Sequence, residues 1–515
     1  MVEQSGTERV LKCGERRPLR MAVGCMVSLV SMLMIMGVYW YGSRFSTGFQ
    51  EMIYTLTSPM KGTGNDGTTL KGILFCGIPT LVMILLYLWA YHWAEGHMLA
   101  GRLRRLHAVY CAAFLIAAVA YADAELGISD YIGMRLESTS LYEEAYVPPK
   151  NVLHPPQKKK NLVWLYMESM ETAYADTEHG GMQAENLIPN LTEIAAQGVS
   201  FGKGSGLRGY TSISGTSWTM ASLLASTSGI PYVLPEGYED EDGEFLPGVT
   251  TLGDILKRDG YAQMFMCGSD AEFGGRARYF RQHGQYEIYD YYTAREKGKI
   301  PDDYFVWWGF EDRILYQLAR EEICRLAEEG KPFNFTFLTV DTHNTGGYRC
   351  AQCPSLHEDS LGNTLLCADA QAAEFVRWLQ AQPFWEDTVL VMVGDHPRMD
   401  PILVGDAETE TRPVYNCILG SDRKLARSMD NRQLTTMDLF PTVMEALGYT
   451  IEGRRLGIGT SLYADIPTLL ERYGTEELSA LVTGSSEYYL NRFVYDLPGG
   501  GPLRGQAESG RTAAE

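Results

Sequence analysis

The sequence has too few basic residues for a protein that binds nucleic acid. Its 515 residues include 44 Lys and Arg against 64 Asp and Glu, a formal net charge of −20. Nucleic-acid phosphates are bound by clusters of Lys and Arg, so we expect no nucleic-acid partner. Ten cysteines are too few for a small disulfide scaffold, and a hydrophobic content of 45% excludes a disordered chain. We expect a folded protein without internal repeats.

Charged residues are missing from two long stretches near the N-terminus, residues 21–43 and 72–94. A third apolar stretch, residues 106–122, is shorter and rich in alanine. About 20 helical residues cross a bilayer core, so the sequence predicts a membrane domain at residues 1–122 with three transmembrane helices. A cleaved signal peptide is the alternative for the first stretch, but no A-x-A-like cleavage site follows it.

The distribution of charge predicts how these helices are oriented. Basic residues precede the first helix and lie between the second and third, at Arg9, Lys12, Arg16, Arg17, Arg20, Arg102, Arg104 and Arg105. Such residues face the cytoplasm, so the chain after about Asp123 is predicted to lie outside. The first 107 residues carry 11 basic and 6 acidic side chains, and the remaining residues carry 33 basic and 58 acidic side chains. We expect a multi-pass protein of the cytoplasmic (inner) membrane with an acidic extracytoplasmic, periplasmic body.

The exported body is predicted to be one α/β domain. Four short runs rich in branched and aromatic residues alternate with helix-like stretches, at residues 161–167, 262–267, 333–340 and 388–394. Strands buried on both faces and separated by helices indicate a mostly parallel central sheet. We expect a connector at 123–160, where Pro pairs and a Lys run disfavour regular structure, a catalytic domain at 161–496 and a disordered tail at 497–515.

Three cysteines lie close together in the exported body, Cys350 and Cys353 in the segment CAQC and Cys367 shortly after it. An oxidising compartment favours a disulfide that joins Cys367 to either of the other two. A zinc knuckle is the competing interpretation, although His357 is an unconvincing fourth ligand.

Metal-capable side chains follow two of the predicted strands. Glu168 comes directly after 161–167, and Asp395 and His396 come directly after 388–394. Functional residues of such sheets lie beyond the carboxyl ends of the strands, where these side chains would meet. A helix cap is the simpler interpretation of Glu168 alone. Carboxylate and imidazole together offer mixed oxygen and nitrogen ligation.

A hydroxyl-rich segment, GTSWTMASLLASTSGIP at residues 215–231, supplies a candidate nucleophile. Thr216 and Ser217 are predicted at the N-terminus of a helix through Met220 to Ala225, where the dipole and free N–H groups favour negative charge. An ordinary Ser or Thr cap is the alternative. Thr219 either lines the same site or serves as a cap.

These parts in this order resemble the alkaline phosphatase/sulfatase superfamily. Sulfatases carry C-x-P-x-R-A-S-L-L-T-G, and superposing ASLL puts Thr216 at the nucleophile and Met220 at the arginine. Sulfatase activity needs Cys or Ser there, whereas Thr resembles the membrane-bound branch of lipoteichoic acid synthases, phosphoethanolamine transferases and glucan phosphoglycerol transferases. The similarity covers roughly residues 123–490. Synthases and phosphoethanolamine transferases usually have five membrane helices, which counts against both.

The resemblance also implies roles for individual residues. Through the segments NLVWLYMES and GDH, the resemblance implies that Glu168, Asp395 and His396 are metal ligands, together with the Thr216 hydroxyl. GSDAEFGGRARYF places Arg276 on the phosphate, and VDTHNTGGY makes His343 a head-group ligand or general acid. A structural histidine is the alternative for His343.

The implied activity is transfer of phosphoglycerol from phosphatidylglycerol, in the lipid bilayer, to an acceptor such as a glucan. A phosphoglyceryl-threonine would form and diacylglycerol would leave. One divalent metal is implied, with Mn²⁺ favoured and Zn²⁺ or Mg²⁺ as alternatives. The competing functions are a phosphoethanolamine transferase, a lipoteichoic-acid-type polyglycerolphosphate synthase and a non-catalytic membrane-anchored binding protein.

Overall fold

The computed structural model describes residues 3–44, 49–50, 52–53, 68–233, 244–400, 402–405, 407, 411–423, 425 and 431–497. All but the first residue of the predicted disordered tail lies outside these ranges. Contacts divide the chain into two units, one that reaches Ile132 and one that begins at Gly133.

The first unit contains the three predicted membrane helices. They are α1 (Glu3–Gly42), α2 (Thr68–His97) and α3 (Ala100–Leu126). Their membrane-spanning segments are Pro18–Gly42, Leu70–His97 and Gly101–Leu126, with mean hydropathies of 2.2, 2.3 and 1.6. Most of the surface of each segment is exposed, which fits apolar side chains that contact lipid. The prediction of three transmembrane helices is confirmed.

The second unit is built on a seven-stranded sheet with the order β3-β8-β7-β2-β6-β4-β5. The strands of this sheet are β2 (Asn161–Met167), β3 (Gly209–Tyr210), β4 (Ala262–Cys267), β5 (Glu287–Tyr289), β6 (Phe333–Leu338), β7 (Thr388–Gly394) and β8 (Val414–Leu419). Five neighbouring strands are parallel, from β7 through β2, β6 and β4 to the edge strand β5, whereas β8 runs antiparallel to β7 and β3 antiparallel to β8. The predicted mostly parallel α/β fold is confirmed.

Helices surround this sheet. Those that follow α3 along the chain are α4 (Ile128–Leu136), α5 (Leu141–Ala145), α6 (Pro149–Val152), α7 (Pro189–Gln197), α8 (Thr219–Ser228), α9 (Leu252–Arg258), α10 (Arg276–Gln282), α11 (Tyr291–Glu296), α12 (Asp312–Glu328), α13 (Ser360–Gln380), α14 (Leu439–Ala446), α15 (Leu469–Thr483) and α16 (Glu487–Tyr489). Two-residue strands complete the unit: β1 (Leu153–His154), β9 (Thr450–Ile451), β10 (Arg455–Leu456) and β11 (Gly459–Thr460).

Both faces of the sheet are covered, as β2 illustrates. Its even-numbered side chains, such as Trp164, lie in one apolar cluster, and its odd-numbered ones, such as Leu165, lie in the other. Successive side chains of a strand point to opposite faces, so a strand buried on both sides must be apolar throughout. The run NLVWLYM has this composition, and it puts the end of β2 in the middle of the sheet.

Three sequence-based expectations about local structure were wrong. Only part of the Pro-rich stretch is irregular: residues 155–160 form no helix or strand, but Pro149 begins the one-turn helix α6, where its missing N–H is not needed. Helix α8 begins at Thr219, three residues after Thr216. The predicted disulfide is not formed, since the nine cysteines whose side chains are described are all free.

Candidate metal centre and active site

The ends of the adjacent parallel strands β2 and β7 bring three predicted ligands together. Ligand atoms of Glu168, Asp395 and His396 lie within 4.8 Å of one another, and all three side chains are buried. Nε2 of His396 is 3.7 Å from Oε1 of Glu168 and 3.4 Å from Oδ2 of Asp395. Residues far apart in sequence therefore form one compact group of two carboxylates and an imidazole. We call Glu168, Asp395 and His396 the metal cluster.

Ser169 holds the two carboxylates in place. Its N–H donates to Oδ1 of Asp395 at 2.8 Å, and its hydroxyl donates to Oε1 of Glu168 at 2.6 Å. It adopts a left-handed backbone conformation, with φ of 51°, that lets both groups point into the cluster. A non-glycine residue in this region carries backbone strain, which is often found at functional sites.

The donor set fits a divalent metal. Oδ1 of Asp395 accepts the N–H groups of Ser169 and His396, whereas Oδ2 is buried without a hydrogen-bond partner among the described residues. Nδ1 of His396 lies 2.8 Å from the carbonyl of Pro397, which must accept, so Nε2 carries a lone pair toward the carboxylates. A buried carboxylate oxygen without a partner, beside an imidazole lone pair, is costly unless a cation joins them.

The charges in this cluster shift its titration. Burial and the nearby Glu168 raise the pKa of Asp395 to about 6. Burial alone would lower the pKa of His396, but Asp395 and Glu168 outweigh it and raise that pKa. Both shifts result from negative charge gathered in a buried site, which a divalent cation would neutralise.

Thr219, and not Thr216, lies beside this cluster. Its Oγ1 is 3.4 Å from Nε2 of His396, and it is half-buried at the first position of α8. Thr216 is fully buried, and within the described contacts its hydroxyl bonds only Ser212 and the backbone of Ile213. The structure therefore leaves Thr216 away from the predicted metal ligands.

Arg276 and His343 are joined by an aromatic surface. Arg276 is anchored through Nη2 to Ser269 and to the carbonyl of Asp270, and its guanidinium lies 5.4 Å from the ring of Phe273. The ring of Phe273 is 5.3 Å from that of Trp308, and the Trp308 ring is 4.8 Å from His343. We call Arg276, Phe273, Trp308 and His343 the aromatic wall.

His343 is neutral at physiological pH. Burial, with smaller contributions from His396 and Arg398, lowers its pKa to about 4. Its Nδ1 lies 2.7 Å from the carbonyl of Asn344 and so carries the proton, which leaves Nε2 as an acceptor. This tautomer suits binding of a hydroxyl group better than proton donation.

A sequence profile of the sulfatase family matches residues 160–449, which is more than half of the chain. The chain belongs to the sulfatase family. The match contains every residue of the metal cluster and of the aromatic wall.

Relatives and solved structures agree with this family. The chain is 32% identical over 320 residues to phosphoglycerol transferase I of Xanthomonas campestris pv. campestris, covering 60% of this chain and 44% of the relative. It is 29% identical over 441 residues to phosphoglycerol transferase I of Salmonella typhi, covering 82% of this chain and 54% of the relative. The chain thus spans about half the length of the curated relatives it matches. A crystal structure of an alkaline phosphatase superfamily protein from Vibrio parahaemolyticus has the same fold, with 21% sequence identity and a TM-score of 0.51. The match covers 65% of this chain and 78% of the Vibrio chain.

This sulfatase-family site also depends on a buried charge network that the sequence analysis missed. Arg398 donates to both carboxylate oxygens of Asp400 and to the carbonyl of Thr342, next to His343. Arg412 donates to Glu171, which also accepts the N–H of Arg398 at 2.6 Å. The only sequence signal for this network is Arg398 in GDHPR, and nothing marks its partners.

Proposed function

We propose that this protein transfers phosphoglycerol from phosphatidylglycerol to a hydroxyl acceptor, with a glucan as the favoured acceptor, on the outer face of the cytoplasmic membrane. The single observation that carries the proposal is the position of Thr219, whose hydroxyl lies 3.4 Å from His396 in the metal cluster. A threonine at a helix N-terminus, exposed enough to meet substrate and next to side chains that could hold a divalent cation, is placed to act as a nucleophile.

The reaction is a double displacement at phosphorus. Thr219 Oγ1 forms a bond to phosphorus while the bond from phosphorus to the diacylglycerol oxygen breaks, and diacylglycerol leaves with the proton. The acceptor hydroxyl then attacks the phosphoglyceryl-threonine, forms the new phosphodiester and returns the proton to Thr219. Both steps conserve one phosphodiester, so no nucleotide or redox partner is needed.

Glu168, Asp395 and His396 would hold the metal, which we propose to be manganese, with zinc and magnesium as alternatives. Such an ion supplies positive charge that acidifies a neighbouring hydroxyl and offsets charge on a phosphoryl oxygen. Asp395 is kept as a ligand by Ser169, which occupies its other oxygen.

The aromatic wall is proposed to bind the part of the lipid that is transferred. The Arg276 guanidinium, fixed by three acceptors, would contact the phosphate. Neutral His343 would accept a hydrogen bond from a glycerol hydroxyl through Nε2 while Trp308 supports its ring. Glycerol has hydroxyls to donate and carries no charge, which fits an uncharged imidazole acceptor.

Sulfate-ester hydrolysis is a weaker candidate despite the family. That chemistry, as the superfamily resemblance implies, needs Cys or Ser as nucleophile and an arginine four residues later. Thr216 and Met220 stand in those places, and both are buried. The names of the relatives support phosphoglycerol transfer, and a phosphoethanolamine transferase or polyglycerolphosphate synthase is the remaining alternative.

The deciding experiment follows head-group-labelled phosphatidylglycerol in vesicles with the full-length protein. We expect release of diacylglycerol and a labelled protein adduct that peptide mapping places on Thr219. Thr219→Ala should abolish both products. Thr216→Ala is the matched control and should form the adduct, because its hydroxyl bonds only neighbouring residues of its own segment.

Two results would overturn the proposal. One is full turnover by Thr219→Ala, and the other is no turnover of phosphatidylglycerol with manganese, zinc or magnesium present. Parallel vesicles with labelled phosphatidylethanolamine distinguish the donors, since faster transfer from that lipid would make the protein a phosphoethanolamine transferase.

A further inference from the structure

Three cysteines meet on one side of the second unit, outside the candidate active site. Cys350 and Cys353 lie in the loop between β6 and α13, and Cys367 lies within α13. Their sulfurs are within 4.8 Å of one another; the Cys350 sulfur is 3.7 Å from that of Cys367 and 3.8 Å from that of Cys353. Cys350 and Cys367 are buried, and Cys353 is half-buried.

These distances match a shared metal ion. Zinc binds thiolates at about 2.3 Å in a tetrahedron, and that geometry separates the sulfurs by about 3.8 Å. A disulfide would hold two of the sulfurs about 2.0 Å apart and leave the third thiol unpaired. Three sulfurs that lie within 4.8 Å of one another are explained by one ion between them, whereas a disulfide explains the position of only two.

The surroundings favour a thiolate at Cys367. The Gln371 amide donates to the Cys367 sulfur at 3.0 Å, and the N–H of Gln352 donates to that of Cys350 at 3.4 Å. Hydrogen bonding from Cys353 lowers the pKa of Cys367 to about 6 despite burial. Burial raises the pKa of Cys350, and hydrogen bonding to Cys367 raises that of Cys353. One thiolate with two thiol donors is the metal-free state of such a site, and binding a cation would release those two protons.

We propose that Cys350, Cys353 and Cys367 form a second metal site that binds a thiophilic divalent ion of the zinc class through three thiolates. It is separate from the cluster of Glu168, Asp395 and His396, whose oxygen-rich donors suit harder ions.

A tetrahedral ion bound by three thiolates would take its fourth ligand from water or another group. Among the described residues, His357 does not belong to the group of ligand atoms within 4.8 Å, although its Nε2 is buried without a hydrogen-bond partner. It therefore does not complete the site in this conformation.

The site would fasten the loop that carries His343. Within that loop the N–H of Tyr348 donates to the carbonyl of Asp341 at 2.7 Å, and the N–H of Gly347 donates to that of His343 at 3.2 Å. Cys350 and Cys353 follow at once, so a bond through metal to Cys367 ties the loop to helix α13. This bracing role does not depend on which phospholipid the protein uses.

The test uses the full-length protein, purified in detergent without chelator and analysed for metal. We expect loss of about one zinc ion per chain in Cys350→Ser, Cys353→Ser and Cys367→Ser. Cys324→Ser, on α12, is the matched control and should keep its metal. Asp395→Asn should also keep the cysteine-dependent ion, which separates the two sites. Replacing zinc by cobalt in the wild-type protein should give thiolate-to-cobalt charge-transfer absorption.

Two results would overturn the proposal. A disulfide between any two of the three cysteines, found by peptide mapping under non-reducing conditions, is one. Wild-type protein that takes up cobalt without thiolate charge-transfer absorption is the other, and this result stands even where a serine variant fails to fold.

Discussion

The backbone N–H of Ser169, at the end of β2, donates to Oδ1 of Asp395, at the end of β7, over 2.8 Å. This bond joins the two strand ends that carry the metal ligands, and it leaves Oδ2 of Asp395 free for a cation. Ser169 must adopt a left-handed conformation to make it, with φ of 51°. The site therefore combines local backbone strain with fixed ligand positions.

Replacing Ser169 by Gly or Ala tests these two contributions. Both variants lose the hydroxyl that bonds Glu168 at 2.6 Å, so both should bind manganese more weakly than wild type. Only glycine relieves the left-handed strain, so Ser169→Gly should be more stable to unfolding than Ser169→Ala by about 1 kcal/mol. Metal titration and denaturant unfolding of the detergent-solubilised protein measure the two effects. Equal stability of the variants would mean that the strain is negligible.

Metal binding should strengthen as the pH rises through about 6. The pKa of Asp395 is raised to about 6 by burial and by Glu168, and only the deprotonated carboxylate binds a cation. Protons therefore compete below this pH, and the affinity should keep rising above it, because the raised pKa of His396 means that this ligand must also lose a proton to bind the metal. Titration with manganese between pH 5 and 8 measures this dependence. Asp395→Asn should bind weakly and lose this part of the pH dependence, and a wild-type affinity that is constant over this range would contradict the assignment.

Arg276→Lys should lower kcat/KM for phosphatidylglycerol by about 100-fold. The guanidinium is held by Phe273, Ser269 and Asp270, and a lysine ammonium cannot reproduce those fixed donors or a bidentate contact with phosphate. Arg281→Ala, on the same helix but on an exposed ion pair with Glu272, is the control and should stay near wild type. An equal loss in both variants would indicate that helix α10, and not the phosphate contact, had been damaged.

The sequence predicted those parts of the fold and site that depend on local pattern. Continuous apolar runs define β2 and β7, and a polar residue directly after each run identifies Glu168 and Asp395. Parallel neighbours carry their ends to one edge, so the metal cluster followed from the strands alone. Strand β8 was missed although its six residues are buried, because its antiparallel position at the side of β7 has no marker in the local sequence.

The threonine that lies beside the candidate metal ligands was harder to predict. Matching ASLL to the sulfatase pattern selects Thr216, but helix α8 begins three residues later and exposes Thr219 instead. The start of this helix depends on the backbone conformation of Trp218 after the preceding turn, and a motif alignment contains no information about backbone conformation. Arg398 and its partners were missed for another reason, since their contacts join residues from three separate segments.

The aromatic wall leads to a prediction about substrate affinity. Trp308→Ala should raise KM for phosphatidylglycerol about tenfold and change kcat little, because Trp308 packs on His343 at 4.8 Å, and its ring contacts among the described residues are with Phe273 and His343 and with none of the candidate metal ligands. Trp308→Phe keeps an aromatic ring between Phe273 and His343 and should lie near wild type. Because the pKa of His343 is about 4, it stays neutral from pH 6 to 8 and should add no pH dependence to KM in that range. Steady-state kinetics with phosphatidylglycerol vesicles measures both constants for each variant. A fall in kcat at unchanged KM in Trp308→Ala would place Trp308 in the chemical step and not in head-group binding.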